Sequence, residues 1–246
     1  MKITFLGTSD GIPRPSHFCT STMIDINGCI YLIDTGAPVI DLMLRYGKKP
    51  DQLKAIFNTH GHSDHLAGML QLLDLCTWAY KSTCYDIYLT ELEIANAYAA
   101  CVEAQERVPF PHDRLHFHIF EAGEIYADEN IKVTAIATSH CEPRPSYAFL
   151  IEAEGKKLVL SGDLSYMLTK NDFPQILCQT PVDFFLCEMA HFGEEQIAPY
   201  LEKCLAKQVW FNHYQLRKEA DIQALSAPGR FSFPVHMAQD GDTVEL

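Results

Sequence analysis

The pattern of hydrophobic and polar positions predicts short β-strands alternating with amphipathic helices. Apolar and β-branched runs bounded by turn residues are typical of strands. These runs are Lys2–Leu6, Thr22–Ile26, Ile30–Asp34, Ala55–Asn58, Asp86–Leu89, Leu115–Phe120, Lys132–Ala137, Tyr147–Glu152, Lys157–Ser161, Asp183–Leu186, Gln208–Asn212 and Thr243–Leu246. Apolar residues at helical spacing predict four helices between them. The helices are Pro38–Tyr46, His65–Ala79, Glu91–Arg107 and Glu194–Lys207.

Two pairs of adjacent strands carry the signature of a tight hairpin. Asn27-Gly28 separates the second and third strands, and Glu154-Gly155 separates the eighth and ninth. Asn-Gly is a strong signal for a type I′ turn, which needs two residues with positive φ. Hairpins mixed with strand–helix alternation predict an α/β fold with sheets between helices, a four-layer αββα sandwich. We find no short repeat and no low-complexity stretch, so residues 1–246 are expected to form a single domain.

Charge and composition narrow the function. The chain has 246 residues, 48% of them hydrophobic, with 19 Lys and Arg against 32 Asp and Glu. The resulting formal charge of −13 disfavours broad non-specific binding of nucleic acid, which depends on basic surface. The negative net charge does not exclude a small anionic substrate, because bound cations and a few arginines can make the binding site locally positive.

We expect no targeting signal in this chain. Its first residues read as a strand, with no long apolar stretch or cleavage site of a signal peptide, and no apolar run reaches membrane-spanning length. The nine cysteines contain no Cys-x-x-Cys pair, so we expect reduced, mostly buried thiols. The sequence therefore predicts a cytoplasmic protein with no membrane partner.

The strongest chemical signal is the segment Asn58-Thr59-His60-Gly61-His62-Ser63-Asp64-His65, which follows an apolar strand and precedes an amphipathic helix. Four candidate ligands fall within six residues of a strand-to-helix loop, where the backbone can aim several side chains inward. Imidazoles with a carboxylate suit a divalent ion such as Zn²⁺. If one of these four ligands cannot reach the first ion, it can bind a second ion beside the first.

This segment resembles the His-x-His-x-Asp-His hallmark of the metallo-β-lactamase superfamily. Other segments resemble further motifs of that family, in order along nearly the whole chain. They are Phe5-Leu6-Gly7-Thr8, Ile33-Asp34-Thr35-Gly36, Thr138-Ser139-His140, Leu160-Ser161-Gly162-Asp163, Trp210-Phe211-Asn212-His213 and the tail with Asp240-Gly241.

The resemblance implies a site with two divalent metal ions. It assigns His60, His62 and His140 to the first ion. It assigns Asp64, His65 and His213 to the second ion, with Asp163 bridging both. Asp34 is expected to orient a ligand imidazole rather than to touch metal. Zn²⁺ is the expected metal from the ligand types, and Mn²⁺ and Fe²⁺ stay open as alternatives.

Two such ions lower the pKa of a shared water and supply a metal-bridging hydroxide as nucleophile. Position 62 favours hydrolysis, since glutamate there would resemble the superfamily's redox branch. The motifs are most similar to the ribonuclease Z and phosphodiesterase branch, in which a glutamate and a histidine donate a proton to the leaving group. Glu188 matches that glutamate, and His191 is a candidate for the histidine, which is missing from its usual place. Asp64 and Asp163 complete the expected catalytic set.

The resemblance departs from ribonuclease Z in one respect. Only Cys141–Gly162 separates His140 from Asp163, which leaves no room for the long tRNA-gripping arm of that family. We therefore expect a substrate smaller than tRNA. Arg144, between two prolines, is a candidate for binding a phosphate or carboxylate of the substrate.

The expected function is a dinuclear phosphodiesterase acting on a small or nucleotide-like substrate. An ester, lactone or thioester hydrolase is the alternative, because the same site can attack a carbonyl carbon. A non-catalytic metabolite sensor is a further alternative. The resemblance also leaves a homodimer open.

Overall fold

The computed structural model describes residues 1–12, 14–36 and 38–246. Its contacts divide the chain into two compact units. The first unit comprises Met1–Gly7, Gly11–Phe120 and Asp240–Glu245, and the second comprises Thr8–Asp10, Glu121–Gln239 and Leu246. The expectation of a single domain stays a prediction.

The strands in chain order are β1 (Lys2–Gly7), β2 (Ser21–Ile26), β3 (Cys29–Ile33), β4 (Leu53–Phe57), β5 (Tyr85–Leu89), β6 (Leu115–Ile119), β7 (Gly123–Ala127), β8 (Ile131–Ala137), β9 (Tyr147–Ala153), β10 (Lys156–Leu160), β11 (Phe184–Met189), β12 (Val209–Tyr214), β13 (Val235–Met237) and β14 (Thr243–Glu245). The α-helices are α1 (Val39–Arg45), α2 (Ser63–Leu66), α3 (Met69–Trp78), α4 (Leu92–Glu106), α5 (Ile176–Gln179), α6 (Glu194–Leu201) and α7 (Glu219–Leu225). Short 3₁₀ turns lie at Pro50–Gln52, Tyr166–Leu168 and Leu216–Lys218.

The first unit is built on a seven-stranded mixed sheet in the order β14-β1-β2-β3-β4-β5-β6. Strands β14 to β3 pair antiparallel, and β3 to β6 pair parallel. A core of apolar side chains joins this sheet to α1, α3 and α4, including Ile56, Ile87, Met43 and Leu73. Because β3 and β4 are parallel neighbours, Asp34 and Asn58, which follow them, leave the sheet at the same edge.

The second unit has its own seven-stranded mixed sheet, in the order β13-β12-β11-β10-β9-β8-β7. Strands β7 to β10 pair antiparallel, and β10 to β13 pair parallel. The parallel strands are apolar and buried, with Val159, Phe185 and Phe211 packed against Ile197 of α6 and Ile222 of α7. The candidate metal ligands of this unit lie near the carboxyl ends of these parallel strands.

Both predicted hairpins are confirmed. Strands β2 and β3 pair antiparallel around Asn27 and Gly28, whose φ angles are 54° and 85°. Strands β9 and β10 do the same around Glu154 and Gly155, with φ angles of 49° and 72°. All four angles lie in the left-handed region that a type I′ turn requires.

The predicted strands are all present, but β7 and β13 were missed, as were α5 and α7. The expected helix His65–Ala79 is wrong as one element, because it is interrupted between α2 and α3. The interruption lies at Gly68, where an added Cβ would stand 2.8 Å from the carbonyl oxygen of Thr35. The N–H of Gly68 donates to the carbonyl oxygen of Thr35 at 2.8 Å, and this bond replaces the one that Gly68 would make within a continuous helix.

The expected helix Glu194–Lys207 is also too long, since α6 ends at Leu201. Beyond it, the backbone N–H groups of Leu205 and Lys207 donate to the carbonyls of Leu177 and Val182. These longer-range hydrogen bonds replace the ones a continued helix would make.

No helix in the described part of the chain is long and apolar enough to cross a membrane.

Candidate functional site

In the first unit, the His-x-His-x-Asp-His segment forms the loop between β4 and α2. His60 and His65 are buried, His62 is exposed at the N-terminus of α2, and Asp64 lies in the first turn of that helix. The Nε2 atom of His60 lies 3.0 Å from Nδ1 of His62, and Nε2 of His65 lies 3.6 Å from Oδ2 of Asp64. The loop therefore brings its four predicted ligands into two close pairs.

Asp34, at the end of β3, holds this loop in place. Its carboxylate is buried and accepts hydrogen bonds from the backbone N–H of Thr59, at 2.8 Å, and from Nδ1 of His65, at 2.7 Å. The contact expected between Asp34 and a ligand imidazole is thus present. Because Nδ1 of His65 donates to a carboxylate, the lone pair of that ring is on Nε2, the atom that faces Asp64.

In the second unit, three imidazoles surround the carboxylate of Asp163. Asp163 follows β10 and Gly162, whose φ is 55°. Its Oδ2 atom lies 3.5 Å from Nε2 of His140, 3.3 Å from Nε2 of His213 and 3.8 Å from Nδ1 of His191. Asp163, His140 and His191 are also mutually close enough to hold one ion. Sequence analysis predicted His140, Asp163 and His213 as ligands, and the fold collects them in this unit.

Backbone carbonyls fix the orientation of two of these rings. Nδ1 of His140 lies 3.2 Å from the carbonyl oxygen of Leu164, and Nδ1 of His213 lies 3.0 Å from that of Ser9. A carbonyl can only accept, so each Nδ1 carries the proton and each Nε2 presents its lone pair toward Asp163. His213 has a φ of 45° beside a register shift between β11 and β12, a local distortion that re-aims its side chain.

The donor atoms in both units fit a divalent cation. Two ligands bound tetrahedrally about 2.0–2.2 Å from one ion lie about 3.3–3.6 Å apart. The separations of 3.3 and 3.5 Å around Asp163, and of 3.6 Å between Asp64 and His65, are of this size. They are longer than a good N–H···O hydrogen bond, which spans about 2.7–3.2 Å. Imidazole nitrogen and carboxylate oxygen are the ligand types that a divalent ion of this kind requires.

Glu188 and His191 lie beside this group and are hydrogen-bonded to each other. Glu188, in β11, is 1% exposed, and its carboxylate accepts from Nδ1 of His191 at 2.8 Å. It also accepts from the backbone N–H groups of Leu164 and Ala190, each at 2.8 Å. Burial raises the pKa of the neighbouring Cys187 thiol well above its usual value, and the charge of Glu188 adds to that shift. The thiol therefore stays protonated.

Arg144 is exposed on the turn after His140, where its backbone N–H donates to the carbonyl oxygen of Cys141 at 2.8 Å.

Sequence analysis did not single out Asp172, whose carboxylate accepts hydrogen bonds from the backbone of two loops in the second unit. It accepts from the N–H groups of Ser139, at 2.9 Å, and Ser165, at 2.8 Å. Asp172 lies in an ordinary polar loop, so no motif or spacing could have indicated it.

Comparison with known proteins identifies the family. The model of the family described as anti-Pycsar protein Apyc1 matches residues 1–233, nearly the whole chain. The chain belongs to this family. Ribonuclease Z of Acaryochloris marina is 32% identical to it over 150 residues, which are 60% of this chain and 46% of the relative. The chain therefore aligns with about half the length of this curated relative.

Solved structures show the same fold. The metallo-β-lactamase fold protein YhfI from Bacillus subtilis has a TM-score of 0.79 at 19% identity, covering 100% of this chain and 99% of that one. The short form of human tRNase Z has a TM-score of 0.76 at 19% identity, with the same coverage. The expected fold class is confirmed, with two mixed sheets flanked by helices. The chain thus has the metallo-β-lactamase fold, and part of its sequence is similar to ribonuclease Z.

Proposed function

We propose that the protein is a dinuclear phosphodiesterase that hydrolyses a small or nucleotide-like substrate, with Zn²⁺ as its metal. The ligands are those that the family resemblance implies: His60, His62 and His140 for one ion, Asp64, His65 and His213 for the other, and Asp163 for both. One observation carries the proposal. The buried oxygen of Asp163 has the Nε2 atoms of His140 and His213 at ligand-to-ligand distances, with both rings held in the metal-binding tautomer.

When bound, the two metal ions would supply hydroxide at neutral pH and polarise the phosphoryl oxygen of the substrate. The chain's own residues prepare that chemistry before substrate arrives. Asp34 fixes the proton of His65 on Nδ1, and the carbonyls of Leu164 and Ser9 do the same for His140 and His213. Preorganised ligands reduce the rearrangement needed during the reaction.

Glu188 and His191 are proposed to donate the proton that the leaving group requires. Glu188 accepts the Nδ1 proton of His191, so Nε2 is the ring atom that can take up and release a second proton. A carboxylate beside an imidazole stabilises the imidazolium, and transfer from Nε2 to the departing oxygen leaves a neutral ring. At 25% side-chain exposure, His191 is accessible to a substrate in a way that buried Glu188 is not.

The proposed substrate is a cyclic nucleotide or a nucleotide-derived ester rather than tRNA. The segment between His140 and Asp163 is occupied mainly by the β9–β10 hairpin, which supports a site without a long arm. The similarity to a ribonuclease supports phosphodiester chemistry. Arg144, exposed beside His140, is proposed to contact a phosphate oxygen, for which its planar guanidinium is well suited.

The test is a comparison of substrates on one zinc-loaded preparation. Turnover of bis(p-nitrophenyl) phosphate and of cyclic nucleotides is measured beside a lactone and a thioester panel. Phosphodiester turnover well above carbonyl turnover supports the proposal, while the reverse order assigns the site to the ester, lactone and thioester alternative. The sensor alternative requires two results together: the metal-free protein binds a nucleotide, and the zinc-loaded protein hydrolyses none of the substrates.

Arg144 offers a sharper test of the phosphate contact. We expect Arg144→Ala to raise KM for a cyclic nucleotide about tenfold, with a smaller effect on kcat, because a charge-assisted hydrogen bond contributes about 1.5–3 kcal/mol. Arg45→Ala is the matched control, since Arg45 is also exposed but lies at the end of α1, in the first unit. Equal KM values in the two variants would remove Arg144 from the substrate site.

A further inference from the structure

Two ligand-bearing loops of the second unit are joined by one carboxylate, that of Asp172. The first loop carries His140 and begins after β8, and the second carries Asp163 and begins after β10. Oδ2 of Asp172 accepts from the N–H of Ser139, the residue just before His140, at 2.9 Å. The same oxygen accepts from the N–H of Ser165, two residues after Asp163, at 2.8 Å.

We propose that Asp172 is a positioning residue that sets the separation of His140 and Asp163, and through it the affinity of this unit for metal. The inference rests on the proposed function, in which both residues bind metal. Asp172 acts through the backbone and needs no contact with the ion. Residues that hold metal ligands from outside commonly contribute about 10- to 100-fold to metal affinity.

Asp172 is itself well anchored. Its Oδ1 atom accepts from the hydroxyl of Ser165 at 2.7 Å, and that hydroxyl oxygen accepts from the N–H of Lys170 at 3.2 Å. The following residue, Phe173, is 1% exposed and packs its ring 5.6 Å from that of Phe185. The carboxylate is therefore tied to the core of the unit, so the two loops it binds are held to a fixed reference.

A second link between the same loops is much weaker. Lys170 and Glu142 form an ion pair at 3.3 Å, but their side chains are 59% and 57% exposed. Exposed ion pairs of this kind contribute little, because water screens their charges. Hydrogen bonds from backbone N–H groups to a carboxylate are charge-assisted, and they are stronger and shorter than hydrogen bonds between neutral groups. Asp172 is thus the stronger of these two links.

The test compares Asp172 with an aspartate that makes similar hydrogen bonds away from the ligands. Oδ1 of Asp128, in the β7–β8 hairpin, accepts from the N–H groups of Asn130, at 2.8 Å, and Ile131, at 2.9 Å. Its Oδ2 accepts from the hydroxyl of Tyr126 at 2.8 Å. Asp128→Ala and Asp172→Ala therefore remove comparable sets of hydrogen bonds in the same unit. Their thermal unfolding in the metal-free state measures the purely structural cost.

Zn²⁺ affinity is then measured for wild type and each variant by competition with a chelator. We expect Asp172→Ala to weaken binding about 10- to 100-fold. Asp128→Ala is expected to bind as wild type does. Asp172→Asn keeps a carbonyl oxygen for the two N–H groups and is expected to restore most of the affinity. If the alanine variant does not fold, Asp172→Glu, which keeps the charge but displaces the acceptor oxygens, is expected to weaken binding in its place.

The outcomes separate this inference from the function it rests on. Equal affinities in Asp172→Ala and Asp128→Ala would overturn the positioning role while leaving a wild-type metal site intact. An asparagine variant as weak as the alanine variant would also overturn it, because the effect would then come from charge. Wild-type protein that binds no Zn²⁺ would overturn the metal site and the positioning role together.

Discussion

The substitution Asp34→Asn tests how the first unit prepares its ligands. Asp34 has a φ of 60°, a left-handed conformation that asparagine adopts readily, so the change alters chemistry without straining the backbone. Oδ1 of Asp34 accepts from the N–H of Thr59 at 2.8 Å, and Oδ2 accepts from Nδ1 of His65 at 2.7 Å. An asparagine can supply only one acceptor oxygen to these two donors.

The fixed backbone donor decides which way the amide turns. The N–H of Thr59 requires the asparagine oxygen, so the amide NH₂ is left facing Nδ1 of His65. That NH₂ favours the tautomer of His65 with its proton on Nε2, the atom that needs a lone pair for metal. The lost bond is charge-assisted and contributes about 1.5–3 kcal/mol, which corresponds to about a 10- to 100-fold weaker metal affinity.

The assay is Zn²⁺ competition with a chelator, together with the visible spectrum of Co²⁺-loaded protein, which reports the ligand set. Asp25→Asn is the matched control, because Asp25 lies in the same unit and accepts from the N–H of Gly28 at the β2–β3 turn. We expect normal Zn²⁺ affinity in the control and an altered Co²⁺ spectrum only in Asp34→Asn. Identical affinities and spectra in the two variants would refute the reasoning about tautomers.

Three further predictions follow from contacts described above. His191→Ala should lower phosphodiester turnover at least about 100-fold while metal content stays at the wild-type value, since general acid catalysis contributes about 10²–10⁴-fold; loss of metal instead would make His191 a ligand. Gly68→Ala should destabilise the protein by about 1–3 kcal/mol, measured by denaturant unfolding, because the new Cβ meets the Thr35 carbonyl oxygen at 2.8 Å; an unchanged midpoint would contradict the close approach. Iodoacetamide at pH 8 should label exposed Cys84 well before buried Cys204. Burial raises the pKa of Cys204 to about 11, so its thiol is protonated at the pH of the reaction. Peptide mass spectrometry measures the order of labelling, and equal rates for the two cysteines would contradict the prediction.

Local sequence signals predicted the parts of the fold and site that depend on neighbouring residues. The ligands His60, His62, Asp64 and His65 fall within one short segment, so the order of residues is enough to recognise their loop. Turn residues located both hairpins for the same reason, since positive φ at Asn27-Gly28 is a local requirement. A contact between Asp34 and a ligand imidazole was expected from the family resemblance, and the structure shows that this imidazole is His65.

Features that depend on distant contacts were missed. Strand β13 has only three residues and exists because Val235–Met237 pairs with β12, and the expected helix through Gly68 is interrupted by the backbone of Thr35. Asp172 binds Ser139, 33 positions earlier, and nothing in the sequence indicates that distance will close. Pairing partners of this kind are set by tertiary structure rather than by local propensity.

The central claim is most directly tested by metal content per chain, determined by elemental analysis and paired with bis(p-nitrophenyl) phosphate turnover on the same samples. Wild type, Asp163→Ala and the control Asp128→Ala are compared. The account predicts about two metal ions per chain with turnover in wild type and control, and loss of metal and of turnover in Asp163→Ala. A wild-type chain without metal, or an Asp163→Ala variant with full metal and full turnover, would contradict it.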